Sequence, residues 1–205
     1  MLTDKKRSVC LAFSFWVVSV FFIPFSVFAE EQDVLREILT RKIAEAASLV
    51  SQATVTDAAK SQNKKWENIS QAEIQSLDKQ WTQSKEDDDY DLMVIRGFMT
   101  NECARTLLEF QRSNPDFKEI FITDKQGLNV CQTNKTSDFY QADEAWWVKS
   151  YAQGSGLSYS GEIEYDESVQ SQSVSVFLPV RDPADGKTIG VCKAVIGLFS
   201  LVDDL

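Results

Sequence analysis

The chain has 205 residues and a formal net charge of −10, with 21 basic and 31 acidic side chains and no histidine. The absence of histidine excludes imidazole catalysis, histidine-ligated zinc and phosphotransfer through histidine, and the excess of acids argues against binding to nucleic acid. This length, with 43% hydrophobic residues, suits one domain that buries its own core and carries an appended helical segment.

Residues 1–29 have the pattern of a secretory signal peptide. Basic residues at positions 5–7 precede an apolar run over residues 9–28, and the small residues Val27 and Ala29 suit a cleavage site. The alternative is an uncleaved anchor, because a run of about twenty apolar residues can span a bilayer. Both interpretations predict export: a periplasmic or secreted protein if cleaved, or an inner-membrane protein that faces the periplasm if not. The segment contains three basic residues and one acid, so its removal takes the net charge from −10 to −12.

Three cysteines follow this segment, at Cys103, Cys131 and Cys192. Export permits a disulfide, and an odd number of cysteines leaves at least one free thiol. The sequence leaves the pairing open, and the apolar neighbours equally suit small buried core residues. The spacing Cys-x-x-Cys does not occur, so neither redox chemistry nor zinc is predicted.

Residues 30–113 are predicted to form a helical segment. Apolar residues recur at helical spacing from Glu31 to about Lys60, without glycine or proline. This pattern predicts one long uninterrupted helix, which could serve as a dimer interface.

Two further helices are predicted before the sheet. Ser70 and Glu73 form the pattern of a capping box, which opens a helix. Another helix is predicted from about residue 90 to residue 112 and ends before Pro115. The acidic stretch 85–91 between them is predicted to be a solvated loop.

Residues 114–205 are predicted to form a five-stranded antiparallel sheet, because the apolar period changes there from 3.6 to 2. A hairpin is predicted over residues 119–133, with a turn that ends in Gly127. A helix is predicted over residues 137–151. The remaining strands are predicted at residues 158–165, 174–180 and 189–199. The predicted fold class is therefore α+β, with a long N-terminal helix and helices packed on one face of the sheet.

Three segments of the sheet region resemble motifs of the extracytoplasmic Cache (PDC) sensor family, whose domains are PAS-like. Residues 118–127 resemble the first hairpin, a strand followed by Asp-x-x-Gly. Residues 138–147 resemble the pocket helix and end in the adjacent aromatic residues Trp146 and Trp147. Residues 178–191 resemble the closing hairpin, with a Pro-Val pair, a turn and a Gly-Val pair. The resemblance is to the single-module form of the family. It implies a PAS-like sheet that binds a small extracellular ligand beside the pocket helix.

Aromatic and acidic side chains concentrate around the segment that resembles the pocket helix. Adjacent tryptophans on a helix project about 100° apart, so one can pack inward while the other lines a cavity. The alternative is that both pack under the helix. The residues predicted to bind the ligand are Tyr140, Asp143, Glu144, Trp146, Trp147, Tyr165 and Asp166. Carboxylates beside aromatic rings favour a cationic or amine ligand, although the acids also suit helix capping or a solvated face.

The pocket segment departs from the motif of the family's amino-acid sensors. Members of the two-module branch carry Arg-x-Trp-Tyr, in which the arginine holds the ligand carboxylate, whereas this chain has Glu144 at the arginine position. Loss of the bidentate clamp argues against an ordinary amino acid or a simple carboxylate as ligand, unless Lys149 or Arg181 replaces it.

The leading hypothesis is an exported ligand-binding sensor domain without catalytic activity, cofactor or metal. Binding of a small molecule would be passed to a membrane signalling partner, and the N-terminal helix could form a homodimer. The alternative is an envelope interaction protein whose helical segment docks a partner while the sheet is a scaffold. An enzyme is not predicted, because without histidine it needs a carboxylate pair, and no specific pair occurs near Trp146.

Overall fold

The computed structural model describes residues 25–84, 89–166 and 171–198. The helices are α1 (Phe25–Val50), α2 (Ala53–Lys65), α3 (Gln71–Gln83), α4 (Asp89–Thr100), α5 (Glu102–Ser113) and α6 (Ala145–Tyr151). The chain divides into two compact units, residues 1–35 and residues 36–205, and all contacts described below lie within the second. The predicted signal peptide lies outside the described residues, apart from its last five, which belong to α1. Within the described ranges, no helix combines the length and the apolar character needed to cross a membrane.

Five strands form one antiparallel sheet, which confirms the predicted α+β fold class. The strands are β1 (Phe117–Asp124), β2 (Asn129–Gln132), β3 (Tyr159–Asp166), β4 (Ser171–Arg181) and β5 (Thr188–Gly197). Their order is β2-β1-β5-β4-β3, so the last strand of the chain lies at the centre beside the first. The predicted turn between β1 and β2 requires Gly127, because its φ is +83° and a Cβ there would lie 2.5 Å from the Cβ of Ala142.

The prediction of one helix from residue 31 to residue 60 is wrong, because α1 ends and α2 begins around Ser51 and Gln52. Gln52 has extended backbone angles (φ −66°, ψ 143°). The hydroxyl of Ser51 donates to the carbonyl oxygen of Ser48 at 2.8 Å, a side-chain bond that competes with the helical backbone. Apolar residues keep their helical spacing on both sides, so periodicity alone does not reveal the break.

The prediction of one helix from residue 90 to residue 112 is wrong for a similar reason, since Asn101 separates α4 from α5. The side-chain oxygen of Asn101 accepts a hydrogen bond from the amide of Ala104 at 2.8 Å and so caps α5. Its Nδ2 donates to the carbonyl oxygen of Val130 in β2 at 3.0 Å. One side chain therefore starts α5 and attaches it to the edge strand of the sheet.

The predicted helix over residues 137–151 forms only at its C-terminal end, as α6. The amides of Phe139 and Tyr140 both donate to Oδ1 of Asp78 in α3, at 2.8 and 2.9 Å. Tyr140 also forms an isolated antiparallel bridge with Leu128. These bonds hold the first half of the segment as a loop against α3 and the start of β2, which corrects the prediction.

The predicted capping box at the start of α3 is confirmed. The hydroxyl of Ser70 accepts a hydrogen bond from the amide of Glu73 at 3.3 Å, and the Glu73 carboxylate accepts from the Ser70 amide at 2.9 Å. The Ser70 hydroxyl also donates to this carboxylate, and this bond, followed by that from the amide, lowers the pKa of Glu73. Two donors at the helix start are thereby satisfied reciprocally.

Ser70→Ala is expected to lower the free energy of unfolding by about 1 kcal/mol, because the amide of Glu73 loses its acceptor. Ser76→Ala is the matched control, since Ser76 is an exposed residue in the middle of the same helix. The control is expected to be neutral or slightly stabilising, because alanine has the higher helix propensity. Urea unfolding of the full chain measures both variants, and equal effects would contradict the capping role.

Helices cover both faces of the sheet. The nitrogen of Lys42 in α1 lies 5.6 Å from the ring centre of Phe117, whose strand partner is Ile196. In α6, the ring of Trp146 stacks on that of Phe177, whose strand partner is Lys193. Because Ile196 and Lys193 are an odd number of positions apart in β5, they point to opposite faces. The prediction that helices pack on one face of the sheet is therefore incomplete. Helix α1 packs on one face, and α6 packs on the other.

Cys103 in α5 and Cys131 in β2 form a disulfide, which settles the pairing that the sequence leaves open. The third cysteine, Cys192 in β5, is a buried free thiol. Burial raises the pKa of Cys192 to about 12. A thiol in this state is protonated at neutral pH and is a poor nucleophile for disulfide exchange.

Candidate functional site

An open cleft of about 390 Å³ lies between α6 and the strands β3, β4 and β5. The strand register creates it, because Tyr159 in β3 pairs with Phe177 in β4, which pairs with Lys193 in β5. Alternation along each strand places these three side chains on the face that α6 covers. The lining is aromatic at the floor and charged at the rim, and we call this site the aromatic cleft.

Stacked aromatic rings form the floor of the aromatic cleft. The rings of Trp146 and Phe177 lie 5.2 Å apart with their planes at 19°, and those of Tyr159 and Phe177 lie 4.7 Å apart at 29°. The Tyr159 hydroxyl donates to the carbonyl oxygen of Trp146 at 3.0 Å, and burial raises the pKa of Tyr159, so the hydroxyl remains a donor at neutral pH. Phe121 meets the Trp146 ring edge-on at 5.8 Å. This flat surface suits the apolar part of a small molecule.

Five charged side chains surround the floor. The nitrogen of Lys149 lies 3.8 Å from the ring centre of Tyr159, and that of Lys193 lies 5.4 Å from the ring centre of Trp146, both within cation–π distance. The carboxylates are those of Glu144, Glu162 and Glu164. The rim therefore offers both signs of charge to one ligand, and the lysines already occupy ring faces on which a ligand cation would lie.

The two adjacent tryptophans of α6 have different surroundings. Trp146 is half-buried in the aromatic cleft, whereas Trp147 is buried and its Nε1 donates to the hydroxyl of Thr123 in β1 at 2.8 Å. The Trp147 ring also stacks on that of Tyr151, with the ring centres 4.6 Å apart. Trp147 therefore holds α6 on the sheet from the core side, and Trp146 faces the cleft.

The structure brings two of the seven residues predicted to bind a ligand, Glu144 and Trp146, into the aromatic cleft. Tyr140 lies elsewhere, because its loop is bonded to α3. Its ring packs against a hydrophobic cluster that contains Phe139 and residues of α3 and α4.

Two other predicted residues, Asp143 and Tyr165, also lie outside the cleft lining. Asp143 is exposed in the turn before α6. Tyr165 is 66% exposed and, by the alternation of β3, points away from the face of its neighbour Glu164. Asp166 is the last residue of β3, and the structure describes its backbone alone.

Sequence reasoning did not identify Tyr159, Phe177 or Lys193 as site residues. One signal was available, because Lys193 lies midway between Val191 and Val195 on one face of an otherwise apolar strand. A lysine among buried residues indicates an opening to solvent on that face, since lysine is almost never fully buried without a partner. The register that brings Tyr159 and Phe177 beside it is a long-range property of the sheet.

Arg181, considered above as a replacement for the family's arginine, has another role. Its guanidinium donates to the carbonyl oxygens of Ser155 at 2.9 Å, Gly156 at 3.2 Å and Gly186 at 3.0 Å. Gly156 has a φ of +74°, and a Cβ there would lie 2.8 Å from the guanidinium, so the loop requires glycine. Arg181 thus ties two loops together, and Lys149 is the candidate that lies at the aromatic cleft.

The groups in the aromatic cleft are suited to binding. They are indole, phenol, ammonium and carboxylate, arranged around a concave apolar floor. In residues 25–84, 89–166 and 171–198, no group of three or more cysteine, aspartate or glutamate side chains is placed to hold a metal ion.

The fold is similar to that of chemoreceptor ligand-binding domains. The domain of Campylobacter jejuni Tlp3 in complex with L-norvaline is 11% identical, with a TM-score of 0.50 over 87% of this chain and 58% of that chain. The domain of Pseudomonas aeruginosa PctC in complex with GABA is 18% identical, with a TM-score of 0.37 over 73% and 61% of the two chains. For Pseudomonas fluorescens CtaA in complex with L-serine, the identity is 13% and the TM-score 0.38, over 64% and 61%.

The chain shares the fold of the Tlp3 ligand-binding domain. It spans less than two thirds of the length of each of these chemoreceptor domains. No family model matches the chain, and no curated protein is similar to it.

Proposed function

We propose that the protein is an exported sensor domain that binds a small extracellular molecule in the aromatic cleft and signals through a membrane partner, without catalysis. The observation that carries this proposal is the cleft, with stacked rings at its floor and two lysines and three glutamates at its rim. Concave, largely apolar sites with a few convergent charged groups are typical of small-molecule binding. The sensor-domain fold shared with the Tlp3 domain supports the proposal.

Membership of the Cache family, in its single-module form, belongs to the same proposal. It is supported by the three motif resemblances over residues 118–127, 138–147 and 178–191 and by the five-stranded sheet in the described part of the chain. The hairpins of the first and third motifs are present as β1–β2 and β4–β5.

The ligand that we propose is a small zwitterion with an apolar portion. The apolar portion would stack on Trp146, the acid group would pair with Lys149 or Lys193, and the amine would pair with the rim glutamates. The sequence alone favours an amine as ligand. The two lysines of the rim would pair with an acid group, so the proposed ligand carries both charges. L-norvaline, which the Tlp3 domain binds, belongs to this chemical class.

Calorimetric titration of the full chain with L-norvaline, butylamine and butyrate tests both the site and the ligand class. The zwitterion is expected to bind more tightly than either singly charged compound. Trp146→Ala is expected to weaken its binding about tenfold or more, because the stacking surface is lost. Lys149→Gln is expected to weaken it about two- to fivefold, which is the range for an exposed ion pair.

Tyr165→Ala is the matched control, because Tyr165 is an exposed aromatic residue of β3 that does not line the cleft. It is expected to leave binding unchanged. If none of the three compounds binds while circular dichroism shows an intact fold, this ligand class is wrong. Cross-linking to partner proteins in envelope fractions is then measured for Trp146→Ala and Tyr165→Ala. If both variants cross-link as wild type does, the function is docking through the helical segment and not ligand sensing at the cleft.

A further inference from the structure

A second cavity, of about 280 Å³, lies between α3 and α4 and shares no lining residue with the aromatic cleft. We call it the α3–α4 cavity. Its apolar lining comes from these helices, the end of α2 and the loop before α6, and consists of Trp66, Leu77, Trp81, Ile95, Phe98 and Phe139, with Val94 at 40% exposure.

Three aromatic rings form one wall of the α3–α4 cavity. The ring centres of Trp81 and Phe98 lie 5.6 Å apart, those of Trp81 and Phe139 5.5 Å, and those of Phe98 and Phe139 5.1 Å. The polar atom of the Trp81 ring, Nε1, already donates to the carbonyl oxygen of Thr136 at 2.8 Å. The wall therefore presents carbon surface, which favours an apolar ligand and, through ring-to-ring contact, an aromatic one.

The charged residue in the described lining of the α3–α4 cavity is a lysine. Among its described lining residues, Lys65 is the ionisable one, and the other polar residues are Gln80 and Ser84. Lys65 is exposed, and its nitrogen lies 4.5 Å from the ring centre of Trp66. A negative group at this end of the cavity would gain an ion pair with Lys65.

We propose that the α3–α4 cavity binds a small aromatic carboxylate, with its ring against Trp81, Phe98 and Phe139 and its carboxylate at Lys65. The volume is slightly below that of most ligand pockets, which begin at about 300 Å³, so a single-ring compound fits best. The proposal is independent of the proposed function, because the cavity and the aromatic cleft lie on different elements and can be altered separately.

Three probes with one ring and different charge test the class of ligand: phenylacetate, benzyl alcohol and benzylamine. Calorimetry of the full chain is expected to rank phenylacetate tightest, with benzyl alcohol about two- to fivefold weaker because it lacks the ion pair. Benzylamine is expected to bind most weakly. Methyl signals of Leu77 and Ile95 in nuclear magnetic resonance spectra are expected to shift with phenylacetate, because both side chains line the cavity.

Variants locate the site. Leu77→Trp places a larger side chain in the cavity and is expected to abolish phenylacetate binding. Met93→Trp is the matched control, because Met93 on α4 is 63% exposed and does not line the cavity. Lys65→Gln is expected to reduce the affinity for phenylacetate to that for benzyl alcohol. If Leu77→Trp does not fold, Val94→Trp narrows the cavity from its exposed side and is expected to have the same effect.

Several outcomes would overturn the proposal. Absence of phenylacetate binding to the folded chain excludes the site, as does binding that survives a folded cavity-filling variant. Loss of binding in Trp146→Ala, with no loss in the cavity variants, moves the ligand to the aromatic cleft. An unchanged affinity in Lys65→Gln shows that the cavity does not recognise the carboxylate.

Discussion

Loss of the disulfide between Cys103 and Cys131 is expected to lower the free energy of unfolding by about 3.5 kcal/mol. The two residues are 28 positions apart, and a cross-link that closes a loop of this length restricts the unfolded chain by about that amount. Both sulfur atoms belong to buried residues, so the bond joins α5 to β2 within the core. The loss corresponds to much of the stability of an ordinary domain.

Guanidinium unfolding of the full chain with and without dithiothreitol measures the effect. The variant Cys103→Ala/Cys131→Ala is expected to be less stable by a similar amount and to be insensitive to the reductant. In the folded chain Cys192 is buried and its pKa is raised to about 12, so its thiol does not attack the disulfide before unfolding. A wild-type chain whose stability is unchanged after complete reduction would contradict the prediction.

The elements that the sequence predicts correctly are those whose determinants are local. The capping box of Ser70 and Glu73 and the turn at Gly127 each lie within four residues, and both occur as expected. The helix breaks are different, because Asn101 is fixed in part by a bond to Val130 in β2, 29 positions away. No pattern in the sequence near Asn101 predicts that the carbonyl oxygen of Val130 will lie close to its side chain.

The same distinction separates the parts of the candidate site. Glu144 and Trp146 are close in sequence and lie together in the aromatic cleft. Tyr140 is also close to them in sequence, but it lies elsewhere. A carboxylate 62 positions away, that of Asp78, draws the amide of Tyr140 to α3. Conversely, Lys193 reaches the cleft through strand register, which depends on the whole sheet.

The Asp124 side chain connects the β1–β2 hairpin to α2. It is fully buried, and its Oδ1 accepts hydrogen bonds from the amides of Gln126 at 2.9 Å and Leu128 at 3.0 Å. Its Oδ2 accepts from Nε2 of Gln62 at 3.1 Å, and the same Nε2 lies 2.9 Å from the carbonyl oxygen of Asn129. One carboxylate thus accepts from three donors, two in the hairpin and one in α2.

Asp124→Ala is expected to lower the free energy of unfolding by about 3 kcal/mol, because buried donors lose their acceptor and each such loss costs about 1–3 kcal/mol. Asp124→Asn is expected to cost less, since its oxygen can still accept from the amides of Gln126 and Leu128. The substitution is still expected to lower the free energy of unfolding, because the new amide group would place a donor against the donor Nε2 of Gln62. Urea unfolding at neutral pH ranks the three proteins, and an alanine variant as stable as wild type would contradict this role.

The pH dependence of the Asp124 contribution gives a second and more specific test. Burial raises the pKa of Asp124, and its hydrogen bonds from Leu128, Gln62 and Gln126 oppose the rise without cancelling it. The folded state therefore binds this proton more tightly than the unfolded state. The stabilisation that Asp124 contributes is fully present below the ordinary aspartate pKa. It declines as the pH rises through the raised pKa of the folded state.

Asp124→Asn isolates this contribution, because asparagine does not titrate there while the other acids are unchanged. The stability of wild type minus that of Asp124→Asn is expected to fall as the pH rises above the ordinary aspartate pKa, and then to become constant. A difference that instead increases with pH would mean that the three hydrogen bonds outweigh burial and lower the pKa. The hydrogen bonds would then stabilise the charged form of the hairpin carboxylate, and the pH at which the hairpin is most stable would move from acidic to neutral.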